Sequence, residues 1–209
     1  MNDTVGAILL GAGVGRRFGS DKRLVEIEIN GRMQTIAEHT IDYYSIIFKE
    51  LRLVIRTNDK NIRALLRTRN VDFVEAADAH QGMGHSLAAG LAGLQWRYAF
   101  IGLLDMPFLQ PESLRQIKAR AAATDFRKII RPRLDPELIS ESDAEMPPWG
   151  HPIGIPHALF AEACIPEGDQ GARKLLRKHP DLVEEVLISD TGIIRDVDRP
   201  GDISTSRRG

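Results

Sequence analysis

A short apolar run, Val5-Gly6-Ala7-Ile8-Leu9-Leu10, leads straight into Gly11-Ala12-Gly13-Val14-Gly15-Arg16-Arg17-Phe18-Gly19-Ser20-Asp21-Lys22. An apolar run this short reads as a strand buried on both faces, which requires a sheet covered by helices on either side. The glycines that end it let backbone N–H groups approach an anion closely, and Arg16, Arg17 and Lys22 add positive charge. The rest of the chain keeps the pattern that such a first strand demands. Further strands are predicted at 24–29, 51–55, 71–74, 98–104, 128–130, 153–155, 183–187 and 193–197, with Asn30-Gly31 as a tight turn. Helices are predicted over 35–49, where Ile36, Thr40, Tyr43 and Ile47 recur at helical spacing, and from an Asn58 cap through Leu66. Others cover 86–94, Pro111 to Ala123, a segment from His157, and 172–178. Residues 132–150 carry prolines and acids without a period and read as a loop or insertion. Strands alternating with helices in this way imply an α/β fold, with one three-layer, Rossmann-like domain over 1–209 and a mostly parallel sheet.

Charge and composition remove several functions. The 28 basic and 29 acidic side chains leave a net charge of −1, so no basic excess exists to hold a nucleic acid or a membrane surface. Aromatic residues at 6% are too sparse for base-stacking platforms. Cys164, the single cysteine, cannot form an internal disulfide or a cysteine-based zinc site, and reads as a small buried hydrophobe. No stretch approaches the ~20 apolar residues of a membrane span. Met1 to Thr4 contain no cation, so no signal peptide is expected and a reducing cytoplasm is the expected address.

The glycine loop fits neither of two familiar phosphate-binding patterns. A dinucleotide fingerprint needs G-x-G-x-x-G, yet Arg16 stands three residues after Gly13. A Walker loop needs G-K-[ST], yet Lys22 lies between Asp21 and Arg23. What remains is a glycine loop backed by Arg17 and Lys22. It suits either a triphosphate that must be neutralised as a bond breaks, or a flexible connection with solvated arginines. Asp105 ends the apolar run 98–104, where open parallel sheets form their ligand crevice. A carboxylate there can hold Mg²⁺, or simply open a turn before Met106-Pro107.

Taken together, these segments resemble the molybdenum cofactor nucleotidyltransferase family. Leu10 to Lys22 is similar to its L-A-A-G-x-G-x-R-[FM]-G-x-x-K signature, with Gly11 in place of the usual alanine. Gly82-Met83-Gly84-His85-Ser86, Leu103-Leu104-Asp105-Met106-Pro107, Gly150-His151-Pro152 and Gly168-Asp169-Gln170-Gly171-Ala172-Arg173 resemble the cytidylyltransferase branch, in the same order. Asp196-Val197-Asp198-Arg199-Pro200-Gly201-Asp202 resembles the closing D-[IV]-D-x-P-x-D pattern. Leu104 stands where a glycine is common before the metal aspartate. The resemblance implies a glycosyltransferase-A-like nucleotidyltransferase fold. The implied reaction is Mg²⁺-dependent transfer of CMP from CTP to molybdopterin, for delivery to a molybdenum enzyme by a monomer or weak oligomer.

It further implies that Arg17, Lys22 and Asp105 are catalytic. The nucleotide would lie on Leu10, Gly11, Ala12, Gly13, Gly15, Arg17, Lys22, Gly82 and Ser86. Asp105 and Asp198 would hold metal, although Asp198 equally suits an acceptor contact or a turn. His151, Asp169 and Arg173 would face the acceptor, although Asp169 and Arg173 also have the spacing of a helical ion pair. A guanylyltransferase, a sugar- or alcohol-phosphate nucleotidylyltransferase and a non-catalytic nucleotide-binding module are the rival readings.

Overall fold

The computed structural model describes residues 3–13, 18–29, 31–139, 147–166 and 172–204. Gly15, Arg17 and Asp169 therefore lie outside the described residues. The main sheet has seven strands. They are β1 (Val5–Leu10), β4 (Leu51–Arg56), β5 (Asp72–Ala76), β6 (Tyr98–Leu103), β7 (Ile129–Leu134), β8 (Ile153–Pro156) and β9 (Val183–Ile188). Their spatial order is β5-β4-β1-β6-β8-β7-β9, and only β8 runs antiparallel to its neighbours. β2 (Glu26–Ile29) and β3 (Arg32–Thr35) form a separate antiparallel hairpin.

Alternation along β1 sorts its side chains to the two faces of the sheet. Ala7 and Leu9 join one core with Ile41 and Tyr44 of α1 (Ile36–Ile47), Ile62 of α2 (Lys60–Leu65), and Leu114 and Ile117 of α4 (Pro111–Ala123). Ile8 and Leu10 join the other with Leu87 and Leu91 of α3 (Met83–Leu91), Phe160 of α5 (Phe160–Ala163) and Leu175 of α6 (Arg173–Lys178). This is the three-layer α/β fold expected. A last short helix, α7, covers Gly201–Ser204. Among the described residues, no helix is long and apolar enough to cross a membrane.

Several local expectations are corrected. α2 is capped by Asp59, whose carboxylate accepts from the Ile62 N–H, while Asn58 takes a left-handed φ of 58°. Asparagine tolerates that conformation, so the cap passes to the next residue. α1 is entered through a capping box between Thr35 and Glu38, and Tyr44 replaces Tyr43 on its buried stripe. α3 begins at Met83, three residues before its expected start, with Gly82 at φ 126°. The stretch 132–150 is not all loop, because β7 runs on to Leu134 and Arg133 bridges to Trp149. The strand expected at 193–197 is instead a 3₁₀ turn over Thr191–Ile193 followed by irregular chain.

Candidate active site

The sheet order reverses between β1 and β6, and the crevice beyond their carboxyl ends is where an open α/β sheet receives ligands. Leu10 pairs with Leu103 in the ladder, and the Leu104 N–H reaches the Leu10 carbonyl at 3.1 Å. The glycine loop and Asp105 therefore leave the sheet side by side. Gly11 is pinned to the neighbouring strand by its N–H, 2.8 Å from the Val54 carbonyl.

The closing segment is then laid against this end of β6, where the Val197 N–H donates to the Asp105 carbonyl at 2.9 Å. Val197 is fully buried, so Asp196 and Asp198 on either side of it are both turned toward Asp105. Among the described residues, Asp105, Asp196 and Asp198 form a group whose ligand oxygens lie within 4.8 Å of one another. That span fits one divalent ion held by hard oxygen donors. Lys22 Nζ enters the same group, 2.6 Å from Asp105 Oδ2 and 2.8 Å from Asp198 Oδ1, with its side chain 11% exposed. Burial disfavours the Lys22 charge, but the two carboxylates outweigh it and raise its pKa. The Asp196 carboxyl is held above the ordinary carboxylate range, first by desolvation and then by the charges of Asp105 and Asp198.

Two cavities meet at this cluster. The first, of about 430 Å³, is lined by Leu10, Gly11, Ala12, Gly13, Lys22, Gly82, Ser86, Asp105 and Asp198. It thus brings together every described nucleotide-site residue that the sequence suggested. Ser86 is buried inside α3 rather than at its start. The second cavity, of about 530 Å³, is lined by His151 and Arg173 with Arg131, Trp149 and Met106. Leu10, Met83, Leu103 and Asp196 line both. His151 Nδ1 lies 3.2 Å from the Ile101 carbonyl, and burial, seconded by Arg173, pushes its pKa down. Arg131 stacks its guanidinium 3.9 Å from the centre of the Trp149 ring, whose Nε1 donates to Glu185 at 2.6 Å.

Three of these residues escaped sequence reasoning. Asp196 was readable from the D-x-D spacing, since residues two apart share a face of an extended chain. Trp149 was hidden in the stretch 132–150, which has no period, and Arg131 falls between that stretch and the strand predicted at 128–130.

Among curated proteins, the chain is 29% identical to a probable molybdenum cofactor guanylyltransferase of Natranaerobius thermophilus. That match spans 55% of this chain and 54% of that protein, about half the length of each. Identity to nicotine blue oxidoreductase of Paenarthrobacter nicotinovorans is 27%, over 95% of this chain and 96% of that one. Among solved structures, Rv0371c of Mycobacterium tuberculosis superposes with a TM-score of 0.78 at 24% identity, covering 98% of each chain. The manganese complex of Rv0371c superposes at 0.76, with 22% identity and the same coverage. Residues 7–183 match the model of the MobA-like NTP transferase domain, and the chain belongs to that family.

Proposed function

We propose that the protein transfers CMP from CTP to the terminal phosphate of a molybdopterin-type acceptor, with Mg²⁺ as its divalent ion and pyrophosphate as the leaving group. The observation that carries this reading is the carboxylate–lysine cluster at the junction of two cavities. The first cavity would take the triphosphate against the glycine loop, and the second would take the acceptor between Arg131, Arg173 and Trp149. The acceptor phosphate is already anionic at pH 7, so no residue has to generate the nucleophile. One of its oxygens bonds to the α-phosphorus as the α–β bridging P–O bond breaks and pyrophosphate departs. Lys22 neutralises charge on the triphosphate, and Arg17 shares that role by resemblance. Asp105, Asp196 and Asp198 would hold the ion, whose contribution is to neutralise phosphate charge. Manganese is the first substitute to try. On this reading the chain works as one domain, a monomer or weak oligomer in the cytoplasm, and hands its product to a molybdenum enzyme.

The donor base rests on Gly82-Met83-Gly84-His85-Ser86, which resembles the cytidylyl branch. The relative named guanylyltransferase makes GTP the chief rival. The end-to-end likeness to nicotine blue oxidoreductase favours a second reading, an oxidoreductase acting on such a dye in the second cavity. A pyrophosphate-release screen of four nucleoside triphosphates with Mg²⁺ and a molybdopterin acceptor separates these readings. Release with CTP is expected. Preferred release with GTP replaces the base assignment. No release with any donor, alongside bleaching of nicotine blue in a parallel assay supplied with a two-electron reductant such as a reduced nicotinamide, replaces the reaction.

A further inference from the structure

We infer that Lys22 is the resident counter-cation of the acidic cluster, and that it makes divalent-metal binding depend on the triphosphate. The inference rests on the proposal that Asp105, Asp196 and Asp198 hold the metal. The Lys22 ammonium is within hydrogen-bond distance of two of these three carboxylates, at 2.6 and 2.8 Å, and is largely withdrawn from water. An ion held by the same oxygens would stand at about 2.0–2.6 Å from them. An ammonium and a divalent ion cannot both occupy that space, since each would meet the other's charge at close range. The protein without nucleotide therefore already carries a cation where the metal must go.

The surroundings of Lys22 allow its side chain to leave while its backbone stays. Lys22 opens a 3₁₀ turn, Lys22–Leu24, capped by Asp21. Arg23 fixes that turn by bonding Asp21, Asp59 and the Gly11 carbonyl. The lysine's flexible four-carbon stem can still redirect its three donors. It lines the first cavity beside Gly11 and Gly13, where a triphosphate would offer it new anionic partners. Triphosphate binding then frees Asp105 and Asp198 for the metal. By linkage the metal must raise triphosphate affinity by the same factor.

The test is titration of the full chain with Mn²⁺ alone, free Mn²⁺ being read by its paramagnetic resonance signal. Lys22→Met is expected to bind Mn²⁺ about 5–150-fold more tightly than the wild type without nucleotide, the usual span of a coupling between sites. Lys22→Arg keeps a cation and should stay as weak as the wild type. The wild type should gain Mn²⁺ affinity when a non-hydrolysable α,β-methylene CTP is added, beyond what the free nucleotide takes up. Thermal melts establish that each variant is folded. Should Lys22→Met fail to fold, Lys22→Gln and the wild-type pair with and without nucleotide carry the test. Equal Mn²⁺ affinity for wild type and the neutral variant, or no gain with nucleotide, overturns the counter-cation role. No Mn²⁺ uptake by any form, nucleotide-loaded wild type included, overturns the metal site itself. Loss of the gained affinity in Lys22→Met with Asp105→Asn ties the gain to this cluster.

Discussion

Arg23 Nη1 stands 2.7 Å from Asp59 Oδ2, an ion pair across 36 residues whose side chains are 3% and 5% exposed. The same nitrogen donates to the Gly11 carbonyl at 2.7 Å, while Arg23 Nε and Nη2 hold the Asp21 carboxylate. Arg56 reaches both Asp21 and Asp59, so two cations and two anions close a neutral network. It joins the end of β1, the turn bearing Lys22 and the cap of α2. The floor of the first cavity is thus held by charges that lie mostly out of water.

Removing one member leaves buried donors short of a partner. Asp59→Ala should lower the unfolding free energy by about 1–3 kcal/mol, because buried Arg23 Nη1 loses its carboxylate and α2 loses its cap, while Asp21 still pairs with Arg23. Arg63→Ala breaks the exposed pair with Glu75 and should cost no more than about 1 kcal/mol. Urea unfolding of the two variants checks the contrast; equal small losses would remove the network from the account of stability.

Asp105 lies at the end of β6, with Lys22 on its carboxylate and Val197 on its carbonyl. Asparagine keeps the shape and removes the charge. Asp105→Asn should melt within a few degrees of the wild type and lose about 10²–10³-fold in turnover, the usual cost of deleting one preorganised electrostatic contact. Undiminished pyrophosphate release at saturating Mg²⁺ would count against the catalytic assignment.

A Cβ built at Gly13 meets nothing within 4 Å, so a side chain there has room in the fold. Gly13 lines the first cavity, and the added bulk falls where the triphosphate is proposed to approach the backbone. Gly13→Val should therefore keep its melting temperature and lose at least about tenfold in triphosphate affinity, equivalent to ~1.4 kcal/mol. Calorimetry showing unchanged nucleotide binding would return the loop to a plain connection.

These contrasts mark what sequence can carry. Leu10 to Gly13 and Asp105 were legible because a run of apolar residues ending in glycine or aspartate fixes both the strand and its exit point. The D-x-D spacing sets Asp196 beside Asp198, but the pair meets Asp105 through the Val197–Asp105 backbone bond, a contact between segments 92 residues apart. β3 reads Arg-Met-Gln-Thr, without the alternation that betrays a strand, and exists because β2 offers it a partner. In β7 a proline and two arginines obscure a burial pattern that the parallel ladder to β9 imposes. The Arg23 network was invisible for the opposite reason. Isolated charges in a sequence look solvated until the fold brings their partners to them.

Two histidines give the stability a pH dependence whose sign follows from their surroundings. His39 is buried on α1, and burial lowers its pKa below the ordinary histidine value of about 6.5, against the opposing pull of Asp42 and the Pro107 backbone. His151 is shifted the same way, chiefly by burial. In the unfolded chain both return to about 6.5. Between the depressed folded values and 6.5 the unfolded state binds more protons, so stability rises with pH through that window. The contribution is complete above about pH 7 and is lost as the pH falls below 6.5. Each histidine can supply a slope of up to about 1.4 kcal/mol per pH unit. Unfolding free energies at pH 7.5 and 5.5 should therefore differ in favour of pH 7.5, and His39→Gln should remove part of that difference. A difference left intact by His39→Gln would mean that His39 is not titrating against burial.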